Sequence, residues 1–463
     1  MATVSFISWM EELNLCPGSR LNKFNMYRLT TIFLFVFVSL QATGQTTYTL
    51  QQCIDSALAH NIPVKRAGLV RESAHVDWQQ AKANVLPDLN ANLSHGYYYG
   101  RTLSQSNVYV NANSNSGGYN INSNVTIFNG LTLQNRIKQN AYGYEASRME
   151  EQQAKDELVL NVILAYLSVL NNEDQVQVAY QQAATSQAAL DRLKIMNDQG
   201  AIKPSDFSDL KGQLMNDQLN ILNAKNVLET SKLSLSQLMN KDYDPSMKLE
   251  RINVEEFLTN YQLSSNEVFQ KALDQFALVK AVELRKTSAA YSLKAFKGEY
   301  YPRLSFGAGL NSQYYSNAFN QSGAKIPYNE QLKNNQSTSL GFGLSVPIFN
   351  SFFTRNRVKL ATILLKDNEL VEESTKLQLH QDIDQAHLNM TNAYERYKLL
   401  LDQVNAYEES FKAAEIRFKA GVGTSIDYLT AKDRFDRANI NLVNAKYDFV
   451  LRKRILDYYS GTK

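Results

Sequence analysis

The sequence predicts a mainly α fold with a small β part, built from one unit used twice. Three observations predict it. The first is punctuation: 463 residues carry only 8 prolines and 20 glycines, and no proline falls between Pro87 and Pro204 or after Pro347. A proline inside a helix costs about 3 kcal/mol, so these intervals are free to form very long helices, while turn-rich sandwiches and ordinary α/β enzymes are disfavoured. The second is self-similarity. Ala57-Leu58, Val64-Lys65, Pro87 and Leu89 recur 215 residues on as Ala272-Leu273, Val279-Lys280, Pro302 and Leu304. Ile127-Phe128-Asn129, Asn135-Arg136, Gly200, Asp206 and Asn223-Ala224-Lys225 recur 221 residues on as Ile348-Phe349-Asn350, Asn356-Arg357, Gly421, Asp427 and Asn444-Ala445-Lys446. The slip in offset marks a longer loop between Pro302 and Ile348. The third is that the hydrophobic period passes from helical to two and back in the same order in each copy.

Length alone would suggest about three domains of roughly 150 residues. The duplication replaces them with two intertwined halves, 45–241 and 264–459, joined by a linker at 242–263 that contains Asp242, Tyr243 and Pro245. Charged residues make up 20% and hydrophobic residues 44%, with a net charge of +3. That balance excludes a mostly disordered chain and gives no support to nucleic-acid binding, which draws on a basic excess.

Residues 26–44 read as an export signal: Met26-Tyr27-Arg28, an apolar run from Leu29 to Leu40, and a small-residue exit at Ala42-Thr43-Gly44. The preceding 1–25, with Glu11, Glu12, Pro17 and Gly18, do not resemble a signal start, so Met26 is the expected start and 1–25 an extension. Cys16 lies upstream of the cleavage site, which leaves Cys53 as one thiol with no intrachain disulfide.

Residues 50–85 and 266–300 then read as helix. A hairpin follows in each copy, at 87–128 and 302–349. In the first, Leu89, Ala91, Leu93, His95, Tyr97 and Tyr99 alternate with Asn90, Asn92, Ser94 and Gly96; the return strand sets Tyr119, Ile121, Val125 and Ile127 against Asn120, Asn122, Asn124 and Thr126. In the second, Leu304, Phe306, Ala308 and Leu310 alternate with Arg303, Ser305, Gly307 and Gly309, and Leu340, Phe342, Leu344, Val346 and Ile348 with Ser339, Gly341, Gly343 and Ser345. Strands of about 10 residues, with tyrosines near the loop ends of the first pair, fit transmembrane β-strands, one face to lipid and one to a wet lumen. A soluble sheet lying on helices alternates in the same way. The export signal and the Asn/Ser/Gly lining favour the membrane. Four strands cannot close a barrel, since the smallest have about eight, so two or three chains must combine.

Residues 131–198 and 352–419 are proline-free and long enough for helices of about 100 Å. The apolar stretch Leu158 to Leu170 is too short to cross a bilayer and is expected to pack among helices. Breaks follow at Gly200 and Gly421. Return helices carry a heptad seam: Leu214, Ile221, Leu228 and Leu235, then Phe435, Leu442, Phe449 and Leu456.

Leu86-Pro87-Asp88-Leu89 and Tyr301-Pro302-Arg303-Leu304 lead into the strands. Thr126-Ile127-Phe128-Asn129-Gly130 and Val346-Pro347-Ile348-Phe349-Asn350 lead out of them, and Arg417-Phe418-Lys419-Ala420-Gly421-Val422-Gly423-Thr424-Ser425-Ile426-Asp427-Tyr428-Leu429 forms the second long turn. With these motifs in duplicate order, nearly all of the mature chain resembles the TolC-like outer membrane factor family. The resemblance implies a homotrimer, with a 12-stranded β-barrel in the outer membrane of a Gram-negative-type bacterium and a periplasmic α-barrel of 12 helical strands. It implies a passive exit duct of a tripartite efflux pump or type I secretion system, closed at its periplasmic tip and opened by helix untwisting. The implied partners are a periplasmic adaptor (membrane fusion protein), a proton-driven or ATP-driven inner-membrane transporter, and outer-membrane lipid.

The resemblance further implies an acidic aperture ring at Asp427, with Asp206 and Asp209 in the related turn. A carboxylate at a helix start also has a simpler reading, as the partner of the helix dipole. The family often carries a second acid one turn on, where this chain has Thr430. Gly200, Gly421 and Gly423 suit tight turns, and with Arg417, Phe418 and Thr424 they are the expected adaptor-docking tip. Leu89, Leu93, Tyr97, Tyr119, Ile121, Val125, Leu304, Phe306, Leu310, Leu340, Phe342, Leu344 and Val346 are the expected lipid-facing residues.

No catalytic, cofactor-binding or metal-binding residues are assigned, and no enzyme activity is expected. His380 and His387 lie about 10 Å apart along a helix, too far to share one ion. The alternative is a secreted structural or adhesin-like coiled-coil protein whose hairpins pack on helices instead of lipid.

Overall fold

A computed structural model describes residues 47–461, apart from 104–106, 112, 199–201, 254, 256–257 and 259–260. The extension at 1–25, the export signal at 26–44 and Gly200 lie outside the described residues. The elements are β1 (Thr47–Tyr48), α1 (Leu50–His60), α2 (Ile62–Ala83), β2 (Asn90–Tyr98), β3 (Arg101–Leu103), β4 (Tyr109–Asn111), β5 (Ser114–Phe128), α3 (Thr132–Asp198), α4 (Pro204–Leu238), β6 (Lys248–Leu249), α5 (Ser265–Gln275), α6 (Ala277–Gly298), β7 (Arg303–Tyr315), α7 (Tyr328–Asn334), β8 (Ser337–Ser345), α8 (Phe353–Lys419) and α9 (Ser425–Ser460). The short parallel pair β1–β6, with Glu250 N donating to Tyr48 O at 3.0 Å, belongs to a small unit of its own.

The single helices expected over 50–85 and 266–300 are each two. Thr49 and Ser264, equivalent by the 215-residue offset, start α1 and α5 with the same reciprocal capping box, paired with Gln52 and Glu267. Asn61 and Phe276, again equivalent, then take extended backbone angles and break the helix. At Asn61 the break is chemically directed: its side chain accepts from Val64 N at 3.3 Å, and Pro63 fits the first turn of α2, where no N–H is needed. Periodicity carried no sign of these kinks, because the apolar pattern continues across them.

The 67 residues of α3 and of α8 correspond to about 100 Å of helix each. Near the sheet the helices pack in the order α2, α3, α6, α8; beyond it the order is α4, α3, α9, α8. The second set continues the first. Asn61 Nδ2 donates to Leu238 O at 3.2 Å where α4 ends and α2 begins. The Phe276 ring lies 5.4 Å from Tyr458 and 5.9 Å from Tyr459 where α9 ends and α6 begins. The result is four columns, two continuous and two jointed. Leu158, Val162, Tyr166, Leu167, Val169 and Leu170 are buried among them, as the sequence predicted for this short apolar stretch.

β2, β5, β7 and β8 form one antiparallel sheet in that order, so the columns and strands run side by side in the same sequence. Each strand exit uses two left-handed residues: Gly130 and Leu131 (φ 65° and 63°), then Ser351 and Phe352 (φ 52° and 61°). Glycine suits this region best, and at Gly130 it is also required by contact, since a Cβ would sit 2.2 Å from Gly298 O. The longer loop of the second copy holds α7, whose buried Gln331 accepts from Tyr315 N at 2.9 Å and donates to Tyr315 O at 3.0 Å.

Candidate functional site

Two regions hold the residues that the sequence singled out. The first is the sheet. Strand side chains alternate between faces, so residues opposite one another in register share a face. Leu93 lies opposite Tyr119, Ile121 opposite Leu310, Val125 opposite Phe306, and Leu304 opposite Leu344. Phe306 opposes Phe342, with ring centroids 5.0 Å apart. Leu89 immediately precedes β2 and Val346 immediately follows β8, while Tyr97 and Leu340 continue the same rows. This face is bare: Leu93 is 75% exposed, Phe342 73% and Leu340 70%. So large a contiguous apolar patch needs lipid or a partner to cover it.

One residue departs from the expected alternation. The β5–β7 register shifts between Thr126, opposite Ser305, and Phe128, opposite Leu304. Ile127 is the extra residue of a bulge, so Phe128 rather than Ile127 takes the apolar face at the base of the sheet.

The other face is polar. Asn92 Nδ2 donates to Asn120 Oδ1 at 3.2 Å, Arg303 to Thr126 Oγ1 at 2.9 Å, and Ser305 Oγ to Gly343 O at 3.4 Å. At the loop end of the apolar face, Tyr314 stands 4.9 Å from Tyr328, whose hydroxyl donates to Tyr119 at 2.8 Å. Among the described residues, strands β2 and β8 each pair on one side only, which leaves both edges of the sheet open.

The second region is the turn between α8 and α9. Gly421, at φ 76°, ends α8 in the left-handed conformation; its N–H donates to Phe418 O and that of Val422 to Arg417 O, both at 3.1 Å. Gly423 N also donates to Arg417 O at 3.1 Å. Thr424 then caps α9: its hydroxyl oxygen accepts from Asp427 N at 3.1 Å and its O–H donates to Asp427 Oδ2 at 2.8 Å. Asp427 is therefore exposed in the first turn of α9, where the helix dipole favours an anion.

Asp206 and Asp209 sit across from it on α4. Ser425 Oγ donates to Asp206 Oδ1 at 2.9 Å, with Asp209 Oδ2 at 3.5 Å, which ties the two hairpins together. Below them Leu193, Leu210, Phe411 and Tyr428 form a core drawn from all four helices, and Phe418 stacks on Tyr428 at 4.9 Å. Burial pushes the Tyr428 phenol up.

Sequence reasoning missed one group here. Lys432 of α9, 1% exposed, reaches Asp217 of α4 at 3.1 Å and also pairs with Asp436. Asp217, 2% exposed, accepts further from Ser186 Oγ at 2.5 Å and Gln213 Nε2 at 2.8 Å. Burial raises the Asp436 carboxyl above the usual range, with Lys432 opposing. The available signal was Asp217 three residues after Leu214, a charge inside the heptad seam.

His380 and His387 serve packing and loop contacts: the His380 ring lies 4.4 Å from Phe269, and His387 Nε2 is 3.2 Å from Leu263 O. Among the described residues no helix is long and apolar enough to cross a membrane.

Comparison with known proteins agrees with this geometry. Outer membrane protein TolC of Escherichia coli (strain K12) is 22% identical over 450 residues, covering 94% of this chain and 87% of TolC. The solved structure of the outer membrane protein VceC from Vibrio cholerae superposes with a TM-score of 0.76 at 16% identity, covering 89% of this chain and 96% of VceC. The Campylobacter jejuni CmeC outer membrane channel does so with a TM-score of 0.77 at 17% identity, covering 89% and 85%. The family model described as outer membrane efflux protein matches residues 53–241 and 268–462, both copies of the repeat, and the chain belongs to that family.

Proposed function

We propose that three copies of this chain form an outer-membrane exit duct of a tripartite efflux pump or type I secretion system. The duct conducts substrate passively from the periplasmic side to the outside and performs no chemistry on it. One observation carries the reading: strands and helical columns run in the same order, both rows open at each side, with the sheet apolar and bare on one face. An open strand edge in lipid leaves each backbone group unsatisfied at a cost of several kcal/mol, so the row must close on further copies. Three copies supply 12 strands and 12 helical columns.

The apolar face meets lipid and the Asn/Ser/Gly face lines the lumen. The tip, with Gly200, Arg417, Phe418, Gly421, Gly423 and Thr424, is where a periplasmic adaptor docks, linking the duct to a proton- or ATP-driven inner-membrane transporter. Asp427, with Asp206 and Asp209 behind it, lines the aperture at that tip. The test is conductance in planar bilayers of the detergent-extracted protein. Discrete channels are expected, and Asp427→Ala is expected to raise conductance or weaken block by divalent cations. Recovery of the chain in the soluble periplasm without detergent would overturn the duct; unchanged conductance and block would remove Asp427 from the aperture.

A further inference from the structure

The repeat offsets make an internal contact a template for an external one. Their validity is visible in paired ion networks. Arg71–Glu151 joins α2 to α3 at 3.1 Å, and Lys286–Glu372, the same positions shifted by 215 and 221, joins α6 to α8 at 2.5 Å. Lys155 and Lys376 complete the two sets at 2.7 Å each. Among the helices near the sheet, the neighbour relation that a single chain leaves unfilled is the equivalent of α3 against α6, which is α8 against an α2 that this chain does not supply.

Within the chain, the α3–α6 seam has a small centre and long flanks. A Cβ on Gly143 would stand 3.8 Å from Ser288 Oγ. To one side Tyr142 stacks on Tyr291 at 5.3 Å; to the other Arg285 holds Glu150 through two bonds of 2.9 and 2.8 Å. At the equivalent outer positions Ser288 is matched by another serine, Ser73, while the other five residues are all replaced by aliphatic ones. Gly143 becomes Leu364, Tyr142 and Tyr291 become Ile363 and Val76, and Glu150 and Arg285 become Val371 and Val70. These residues are bare in the single chain: Leu364 is 50% exposed, Ile363 55%, Val76 56%, Val371 44% and Val70 55%.

We infer that α8 of one copy seats on α2 of the next through an apolar seam, with Leu364 filling the centre and the Ile363–Val76 and Val371–Val70 pairs flanking it. The volume lost from the flanks is regained at the centre. The inference rests on the reading that several copies close the row, and it specifies which residues close it. A seam inside one chain is always present and can afford ion pairs that gain little at a surface. A seam between separate chains must draw them together, and apolar area does so. The polarity difference between the seams follows from that difference in task.

The test transplants the internal pair. Val371→Glu alone and Val70→Arg alone each place an unpaired charge in the seam, and each is expected to reduce the fraction of oligomer in detergent at least tenfold. The double variant V70R/V371E recreates the Arg285–Glu150 pair and is expected to restore most of it. As a second measurement, Val70→Cys with Val371→Cys should crosslink copies through a short bismaleimide, while Glu150→Cys with Arg285→Cys should crosslink only within a copy. Cys53 is buried and gives the background. An oligomeric wild type whose single variants assemble normally, or whose outer cysteines link nothing, overturns this seam alone. A wild type that is a single copy in detergent overturns the closed row as well.

Discussion

Lys432→Met isolates the buried charge group that joins the two long hairpins. The ammonium is 1% exposed and its partner Asp217 2%, so removing it leaves a carboxylate in a place water does not reach. That cost has a ceiling, because the carboxyl can take up a proton instead. Protonating an ordinary aspartate, with a pKa of about 3.9, costs about 4 kcal/mol at pH 7 and about 1.5 kcal/mol at pH 5, at 1.36 kcal/mol per pH unit. The ceiling at pH 7 lies within the roughly 3–5 kcal/mol typical of breaking a buried pair. The assay is amide hydrogen exchange of 205–220 and 428–440 in the assembled protein, corrected for intrinsic rates. Local opening should become up to about 10³-fold more frequent at pH 7 and about tenfold at pH 5. The double variant K432M/D217L, which removes the two most deeply buried charges and leaves the more exposed Asp436, should return to within about tenfold of wild type. Equal acceleration at both pH values, or a double variant as open as the single, would refute the reasoning.

Three further outcomes are expected. Gly298→Ala would place a Cβ 2.5 Å from both Gly130 O and Thr132 Oγ1; overpacking of this kind costs about 1–3 kcal/mol, and the oligomer should dissociate on gels at a lower temperature. Phe342→Cys should react with a lipid-soluble maleimide and resist a charged one, while Gly341→Cys, on the opposite face, should react with the charged reagent; identical labelling would remove the assignment of the two faces. Burial raises the Glu173 carboxyl, with Lys232 and Arg251 pulling it down. The folded form therefore binds more protons than the unfolded one between the ordinary carboxylate value and the raised one, and Glu173's contribution to stability falls as pH rises through that window. Glu173→Gln should flatten that dependence in thermal melts between pH 4 and 7.

Most of the fold was legible because long periodic elements leave strong signals. Two proline-free intervals became α3 and α8, and period-two runs became the four strands of one sheet. The face shared by Leu93, Ile121, Phe306 and Leu344 was legible for the same reason: parity along a strand fixes the face until something breaks it. The bulge at Ile127 broke it without a composition cue, since both Ile127 and Phe128 are apolar. The kinks at Asn61 and Phe276 were hidden because capping is a local hydrogen-bond decision that hydrophobic period does not record. At the tip, the sequence supplied Asp206, Asp209 and Asp427, but not that Ser425 bonds the first two while Thr424 holds the third. Hydroxyls that act as partners are too common to stand out. Lys432 was invisible for a different reason: lysine is normally solvated, and only its distance to Asp217, 215 residues earlier, reveals otherwise.

The jointed columns have a mechanical consequence. Where α4 abuts α2 and α9 abuts α6, the contact is an amide-to-carbonyl bond in one case and three aromatic rings in the other, with no peptide link across either gap. A lengthwise pull on the wall is therefore borne by α3 and α8, whose backbones run unbroken through both levels. A rotation of α4 or α9 about its own axis therefore reaches α2 or α6 only through those non-covalent contacts and through α3 and α8, against which both levels pack.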